Sequence, residues 1–272
     1  MTHSPIAVAE RAPVTERDDS VSKLKTGVRV AASIVVLSAG ALVMLIAAIP
    51  TIGLARRFYS EVIGQAIGNV ILRLWGVRYV VHRSTPLPPG QAIYISNHTS
   101  TIDIFVLIAL ALPRTRFFLS GFLRKLVPLA VIGYLIRIFW TVPQHFPEKR
   151  RQIFARADRI LRRSGDSAYL SPEGMRVVNG EVGHFNKGAF HLATSLHAPI
   201  VPIYFAIPRQ INPGMGYDAK PGQVDVWFLR PFQTGDWRLE DLEKNRDAVR
   251  DFFVQVHDTV RATGRPPAEL LA

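Results

Sequence analysis

Residues 92–112 read AIYISNHTSTIDIFVLIALAL, and this stretch carries the strongest indication of fold class in the sequence. The apolar run Ala92–Ser96 is typical of a buried strand, and the apolar run Ile104–Leu112 is typical of a helix. A short polar segment with a histidine and an aspartate separates them. Because polar turns between strand and helix line the ligand crevice of α/β domains, the stretch predicts both the fold class and the position of a site.

The alternation of strands and helices continues toward the C-terminus. Further strands are predicted at Val77–Arg83, Ser167–Leu170, Ile200–Ala206 and Gln223–Phe228, and further helices at Leu123–Ile136, Pro147–Arg163, Lys187–Leu196 and Leu239–Ala262. This order predicts an α/β domain in which helices flank a mixed sheet. We place the domain at residues 77–265, after a flexible tail at 1–22 and an N-terminal helical segment at 23–76.

The N-terminal segment has the length and composition of a membrane helix. Val30–Ile49 contains twenty residues and no charge, about what a helix needs to cross ~30 Å of hydrocarbon. A secretory signal peptide and a buried core helix are the alternatives. Phe58–Val77 follows as an amphipathic helix suited to an interface. The pair predicts a membrane-associated two-helix motif, which could dip into one leaflet with both ends at the cytoplasmic face.

Composition excludes several classes of protein. The chain has 272 residues, 48% of them hydrophobic, which is too apolar for a mostly disordered protein. With no cysteine, it has no disulfides, no cysteine-ligated metal and no thiol nucleophile. The eight histidines show no metal-ligand spacing. The net charge of +12 favours an anionic partner, which could be nucleic acid, an anionic membrane or a phosphorylated substrate.

The turn after the first quoted strand carries a candidate catalytic pair. If Asp103 accepts a hydrogen bond from one ring nitrogen of His98, the other nitrogen is free to act as a base. Asn97 and Ser100 are candidates for supporting hydrogen bonds to the substrate, although each could equally cap the helix. The alternative for the pair itself is a capping histidine beside an exposed aspartate.

A second polar stretch, residues 170–176 (LSPEGMR), follows the strand predicted at Ser167–Leu170. Gly174 permits a tight turn, and the planar guanidinium of Arg176 suits a phosphate group. Lys187, near the start of the next helix, can add a point charge. In the alternative interpretation, Glu173 and Arg176 form an ordinary surface pair.

Taken in order, NHTSTID (97–103), SPEGMR (171–176), FNKGAFHLA (185–193) and IVPI (200–203) resemble the blocks of the glycerolipid acyltransferase family. The resemblance implies a membrane-bound enzyme of phospholipid biosynthesis that acylates lysophosphatidic acid to phosphatidic acid. It implies His98 as general base, Asp103 as its partner, and Glu173, Gly174 and Arg176 as the block that holds the acceptor phosphate. The acyl donor would be acyl-CoA or acyl carrier protein, passing its acyl group directly to the acceptor without a resident cofactor or metal.

The chain departs from that family at two positions. Met175 replaces the usual threonine, and Gln144 stands where the second block should end in arginine. With Gln144 in place of arginine, the predicted phosphate site has one positive charge fewer. An alternative is therefore that the acceptor is a different lysolipid. A non-enzymatic basic protein that binds membrane surfaces or nucleic acid is the other alternative, but the aromatic interleaving expected of a nucleic-acid binder is missing, so we expect no nucleic-acid partner.

Overall fold

The computed structural model describes residues 16–177, 180–211, 214, 216–217 and 219–271, with side chains from residue 22 onward. The helices are α1 (Glu16–Thr51), α2 (Arg56–Phe58), α3 (Gln65–Leu74), α4 (Asp103–Ala109), α5 (Val127–Leu135), α6 (Pro147–Ser164), α7 (Gly188–Leu196) and α8 (Leu242–Thr263). The strands are β1 (Val77–His82), β2 (Ile93–Ser96), β3 (Thr115–Ser120), β4 (Phe139–Thr141), β5 (Ser167–Leu170), β6 (Ile200–Ala206) and β7 (Gly222–Phe228).

Within these residues, the strands form one seven-stranded sheet in the order β1-β7-β6-β2-β5-β3-β4. Neighbouring strands are parallel except for the antiparallel pair β6 and β7, so the predicted mixed sheet is confirmed. The central strand β2 pairs with β5 on one side and with β6 on the other. Because all three are parallel, the loops that follow Ser96, Leu170 and Ala206 leave from the same edge of the sheet.

Alternate residues of the strands face two separate helical layers. On β2, Tyr94 packs into the core under α1, α3, α4 and α5, whereas Ile93 and Ile95 pack into the core under α6, α7 and α8. Since both faces are covered, the central strands are apolar throughout, which is why their sequences read as continuous apolar runs.

The sequence pattern did not predict β3 and β4. Residues 115–142 are a long, mostly apolar stretch in which periodicity alone does not separate a strand from a buried helix. The helix predicted at Leu123–Ile136 begins later, at Val127, after a 3-10 turn at Gly121–Lys125. Pro128 near the first turn of α5 is compatible with this start, because a proline there loses no helical hydrogen bond.

The predicted N-terminal helices are present. Helix α1 extends from Glu16, inside the stretch predicted as tail, to Thr51, while residues 1–15 lie outside the described residues. The amphipathic stretch forms α2, a π-helical segment at Tyr59–Gly64, and α3. Gly40 of α1 has no side chain where the side chain of Ile67 of α3 lies, so the two helices pack closely. The division into tail, helical segment and domain stays a prediction.

Helix α1 is long and apolar enough, at Ser22–Thr51, to cross a membrane, and only 28% of its most apolar part is buried by the protein. Leu37, Ala41 and Met44 face the core, whereas Leu42, Val43 and Ile46 are exposed. The exposed apolar face argues against the alternative of a buried core helix.

A buried charge cluster attaches the end of the N-terminal segment to the sheet. The Asp166 carboxylate accepts hydrogen bonds from Arg56 Nη2 at 2.6 Å and from Arg116 Nε at 2.8 Å. Burial alone would raise the pKa of Asp166, but the hydrogen bond from Arg116 and the charge of Arg56 outweigh it and lower that pKa. Because one carboxylate serves two buried guanidinium groups, α2 is held against β3 and the start of β5.

Candidate active site

The predicted catalytic pair is formed by the turn between β2 and α4. His98 Nδ1 lies 2.7 Å from Asp103 Oδ2, and the same oxygen accepts hydrogen bonds from the backbone N–H groups of Thr99 at 2.8 Å and Ser100 at 3.1 Å. The Asp103 side chain is 4% exposed and the His98 side chain 32% exposed. The pair therefore presents an accessible imidazole backed by a buried carboxylate, in place of the exposed aspartate of the alternative interpretation.

Asn97 and Ser100 are buried and hydrogen-bonded to the backbone. Asn97 Nδ2 donates to the carbonyl of Phe205 at 3.0 Å, and the Phe205 N–H donates to Asn97 Oδ1 at 2.8 Å. Ser100 Oγ accepts from the N–H of Ile102 at 3.2 Å. These contacts anchor the turn to β6 and shape the start of α4. The prediction that either residue binds substrate stays a prediction.

Glu173 joins the second loop to the first. Its carboxylate accepts hydrogen bonds from the backbone N–H of His98 at 2.6 Å and from the backbone N–H of Gly183 at 2.8 Å, and the residue is 3% exposed. Burial raises the pKa of Glu173 to about 7, although both backbone hydrogen bonds and the nearby His98 act to lower it. The carboxylate is thus turned toward backbone donors, in contrast to the surface pair with Arg176 that was the alternative interpretation.

Arg176 lies against the histidine turn. Its guanidinium donates to the hydroxyl of Thr101, and the Val177 N–H donates to the carbonyl of His98 at 2.8 Å. Thr101 Oγ1 is also 2.9 Å from the carbonyl oxygen of Gly216. The structure therefore places a cationic side chain against the turn that carries the candidate base.

Gly174 has a φ of +71°, so the tight turn predicted here needs a left-handed conformation that glycine adopts readily. A Cβ at this position would lie 2.9 Å from Asn186 Nδ2 and 3.3 Å from Gln144 Nε2. Gln144 is therefore a neighbour of the Glu173 loop. Lys187 lies at the N-cap position of α7, and its side chain forms an ion pair with Glu243 of α8.

Several residues that hold the site together were not singled out from the sequence. Tyr169 shares a hydrogen bond with Ser96 at 2.6 Å, and Asn186 Nδ2 donates to the carbonyl oxygens of Pro172 and Glu173 at 2.9 and 3.0 Å. Thr101 and Asn186 stand inside quoted motifs, which is the signal that could have identified them. Gly183 acts through its backbone N–H, for which a sequence carries no signal.

Comparisons with known proteins agree with this fold and these motifs. The acyltransferase family model matches residues 78–206. A 1-acyl-sn-glycerol-3-phosphate acyltransferase from Limnanthes alba is 29% identical over 199 residues, covering 71% of this chain and 68% of the relative. The alpha form of that enzyme from Homo sapiens is 26% identical over 209 residues, covering 73% of this chain and 70% of the relative.

A solved structure shares the fold. The crystal structure of the 1-acyl-sn-glycerophosphate acyltransferase PlsC from Thermotoga maritima aligns with a TM-score of 0.60 at 20% identity, covering 84% of this chain and 96% of that chain. The family model and the named relatives define the class of the protein, which is an acyltransferase enzyme. Within that class, the family model over residues 78–206 and the named relatives support the glycerolipid acyltransferase family.

The buried carboxyl of Glu173 predicts a pH-dependent stability. With a pKa near 7 in the folded protein and an ordinary value of 4.5 when unfolded, Glu173 keeps its proton in the fold after the unfolded chain has lost it. Its contribution to the free energy of unfolding should therefore fall by about 3 kcal/mol as the pH rises from 4.5 to 7 and then stay level. Urea unfolding in detergent at a series of pH values measures this free energy, with the Glu173→Gln variant as a reference that cannot ionise. If the stability of the wild-type protein and that of the Glu173→Gln variant change with pH in the same way, the prediction is wrong, because the Glu173 carboxyl then titrates at its ordinary value.

Proposed function

We propose that this enzyme transfers a fatty acyl group from a thioester donor to the free hydroxyl of lysophosphatidic acid at a membrane surface, giving phosphatidic acid. The observation that carries the proposal is the hydrogen bond of 2.7 Å between His98 and the buried Asp103, on an imidazole that remains accessible. The relatives named 1-acyl-sn-glycerol-3-phosphate acyltransferases support the choice of acceptor.

The protonation of His98 follows from its partner. An ionised carboxylate only accepts hydrogen bonds, so Nδ1 of His98 carries the proton and Nε2 of the neutral ring has a free lone pair. Nε2 takes the proton of the acceptor hydroxyl as that oxygen attacks the thioester carbonyl. The carbon–sulfur bond then breaks, and the leaving thiolate takes the proton back from Nε2. The products are an ester and a free thiol, and no acyl-enzyme is formed.

Asp103 would do more than orient the ring. During proton transfer His98 becomes an imidazolium, and the adjacent buried carboxylate stabilises that positive charge. The two backbone N–H groups on the same oxygen keep the carboxylate in place, so this stabilisation needs no rearrangement. The geometry thus supports a general base that is set in position before the substrate arrives.

Arg176 would hold the phosphate of the acceptor. Among the described residues its guanidinium has a hydroxyl partner, Thr101, and no carboxylate within ion-pair distance, so its charge remains available for an anion. A guanidinium binds phosphate oxygens through two parallel N–H groups. With the phosphate held beside the turn that carries His98, the glycerol hydroxyl comes within reach of Nε2.

A second acceptor is favoured by one observation. Gln144 contributes a neutral amide beside Gly174, where the resemblance predicts an arginine. A headgroup site with one cation fewer is suited to a lysolipid that carries less negative charge, such as a zwitterionic or amino-acid-containing one. The chemistry at His98 would be the same.

We further propose that α1 attaches the enzyme to the membrane, at its cytoplasmic face. Its exposed apolar residues, Leu42, Val43 and Ile46 among them, would cost free energy in water and favour lipid. Both substrates are lipids or carry long acyl chains, so a catalytic domain held at the interface does not have to extract them into water.

The catalytic assignment predicts a large loss of activity in His98→Ala. We expect kcat to fall about 10³-fold or more, and Asp103→Asn to lower it about 10²-fold to 10⁴-fold, because the base is removed in one case and misoriented in the other. His197→Asn, at an exposed position just after α7, is the matched control and should retain wild-type turnover. Circular dichroism of each purified variant checks the fold. Full acyl transfer by a folded His98→Ala protein would refute the mechanism.

The acceptor assignment predicts a phosphate-dependent effect of Arg176→Ala. The KM for lysophosphatidic acid should rise about 10-fold to 100-fold, since one charge-assisted contact is lost, while the KM for a monoacylglycerol should not change. Steady-state assays of purified protein against a panel of lysolipids measure both. Gln144→Arg should lower the KM for lysophosphatidic acid by adding a cation. If that lipid is inert and another lysolipid is turned over, the second acceptor is correct.

Membrane attachment predicts that the protein floats with vesicles of anionic and zwitterionic lipid in a density gradient and resists extraction by high salt. Leu42→Asp together with Ile46→Asp should move it to the soluble fraction, because two charges on the exposed face of α1 oppose insertion. Lys244→Asp, at an exposed site on α8, should leave flotation unchanged. Recovery of the wild-type protein in the soluble fraction alone would contradict the proposal.

A further inference from the structure

A groove of about 600 Å³ lies between α6 and α7, on the layer of the sheet opposite to α1. Its volume is within the range of about 300–1,000 Å³ that small-molecule sites occupy. Phe154 lines the groove with an apolar ring, which packs against Phe118 at a centroid distance of 5.0 Å. The Phe154 ring packs directly against Gly188, where a Cβ would lie only 2.5 Å from the ring, so glycine allows this close contact.

The walls of the groove are strongly basic. Arg150, Arg151, Arg159 and Lys187 line it together with one acidic residue, Asp158. Arg151 also pairs with Glu148, and Lys187 with Glu243. Asp158 faces Arg162 at 3.6 Å, so its charge is already offset by a cation that is not among the lining residues. The groove therefore concentrates positive charge in a concave volume, a combination that attracts a phosphorylated molecule.

Two of these arginines lack an acidic partner. Among the described residues, Arg150 and Arg159 form no ion pair with a carboxylate. Arg150 is half-buried and donates to the carbonyl of Val142 at 3.3 Å, and its burial lowers its pKa. A partly desolvated cation without a counter-charge gains most from a bound anion.

The groove begins at the catalytic loops. Asn186, which lines it, donates to the carbonyl of Glu173, whose carboxylate accepts from the His98 N–H. Arg150 lies toward that end, and Arg159 follows nine residues later on the same helix, a distance of about 13 Å along the axis. A ligand in the groove would thus extend from the site toward the far end of α6.

We propose that this groove binds the phosphorylated nucleotide end of acyl-CoA, and that the pantetheine arm reaches from it past Asn186 to His98. The inference rests on the proposed acyl transfer, and it adds which acyl donor is used and where that donor binds. The arginines would bind the pyrophosphate and the ribose phosphate, and the ring of Phe154 offers the adenine an apolar surface. The concave shape favours a nucleotide over an acidic carrier protein, which would need about 800 Å² of complementary surface on this side.

The test compares donors on the full-length enzyme in mixed micelles, using acyl-CoA, acyl-pantetheine and an acyl carrier protein loaded with the same acyl chain. Arg151→Glu and Arg159→Glu change side chains that are exposed, so both variants should fold. Each should raise the KM for acyl-CoA at least tenfold and leave the KM for acyl-pantetheine and for the lysolipid acceptor unchanged. Arg156→Glu, an exposed arginine of α6 that does not line the groove, is the matched control and should have no effect.

Binding of free CoA, measured by calorimetry, separates this proposal from the proposed function because it requires no turnover. Wild-type and Arg156→Glu proteins should bind CoA with equal affinity, and Arg159→Glu should bind at least tenfold more weakly. An unchanged KM for acyl-CoA in both groove variants would overturn the inference, even if His98-dependent acyl transfer is confirmed. A loss confined to the carrier-protein donor would also overturn it and would assign the groove to that protein. If the KM for acyl-pantetheine rises as much as the KM for acyl-CoA, the substitutions act on the fold and the inference is overturned.

Discussion

The site depends on one oxygen atom, Asp103 Oδ2, which accepts hydrogen bonds from the His98 ring and from the N–H groups of Thr99 and Ser100. A carboxylate at the first position of α4 also satisfies the positive end of the helix dipole. The contact that closes the turn between β2 and α4 is therefore the contact that orients the proposed base, His98. Loss of the carboxylate would open the turn and release the ring together, so the capping role of Asp103 is compatible with its proposed catalytic role.

Glu173 extends this arrangement across the sheet. Its carboxylate binds the N–H of His98, so the loop after β5 is attached to the turn after β2. The parallel pairing of the two strands makes the contact possible, because both loops emerge at the same edge. Arg176, three residues further along, is placed beside Thr101 by the same attachment. Arg176 and His98, the proposed acceptor cation and base, are thus both positioned by Glu173, a buried carboxyl group whose pKa rises to about 7.

The sequence allowed the central strands and the His98–Asp103 pair to be predicted because their signals are local. Strands β2 and β6 are covered on both faces, which makes them short, continuous apolar runs, and the pair lies within one turn. Strands β3 and β4 were missed because the apolar stretch around them is equally typical of a buried helix. The bonds from His98 and Gly183 to Glu173 could not be predicted, since both donors are backbone groups that are brought close by the tertiary fold.

The two helical layers have different surfaces, and this difference bears on how the two proposed substrates would reach the proposed base. Helix α1 presents apolar side chains on one side of the sheet, whereas α6 and α7 present an arginine-lined groove on the other. His98 lies at the sheet edge between the layers, and the loop of Glu173 connects its turn to Asn186 at the mouth of the groove. A lysolipid would therefore approach from the layer of α1 and a water-soluble thioester from the layer of α6. In this arrangement the net charge of +12 does not act as a uniform surface field, because part of it is concentrated where a phosphorylated donor would be held.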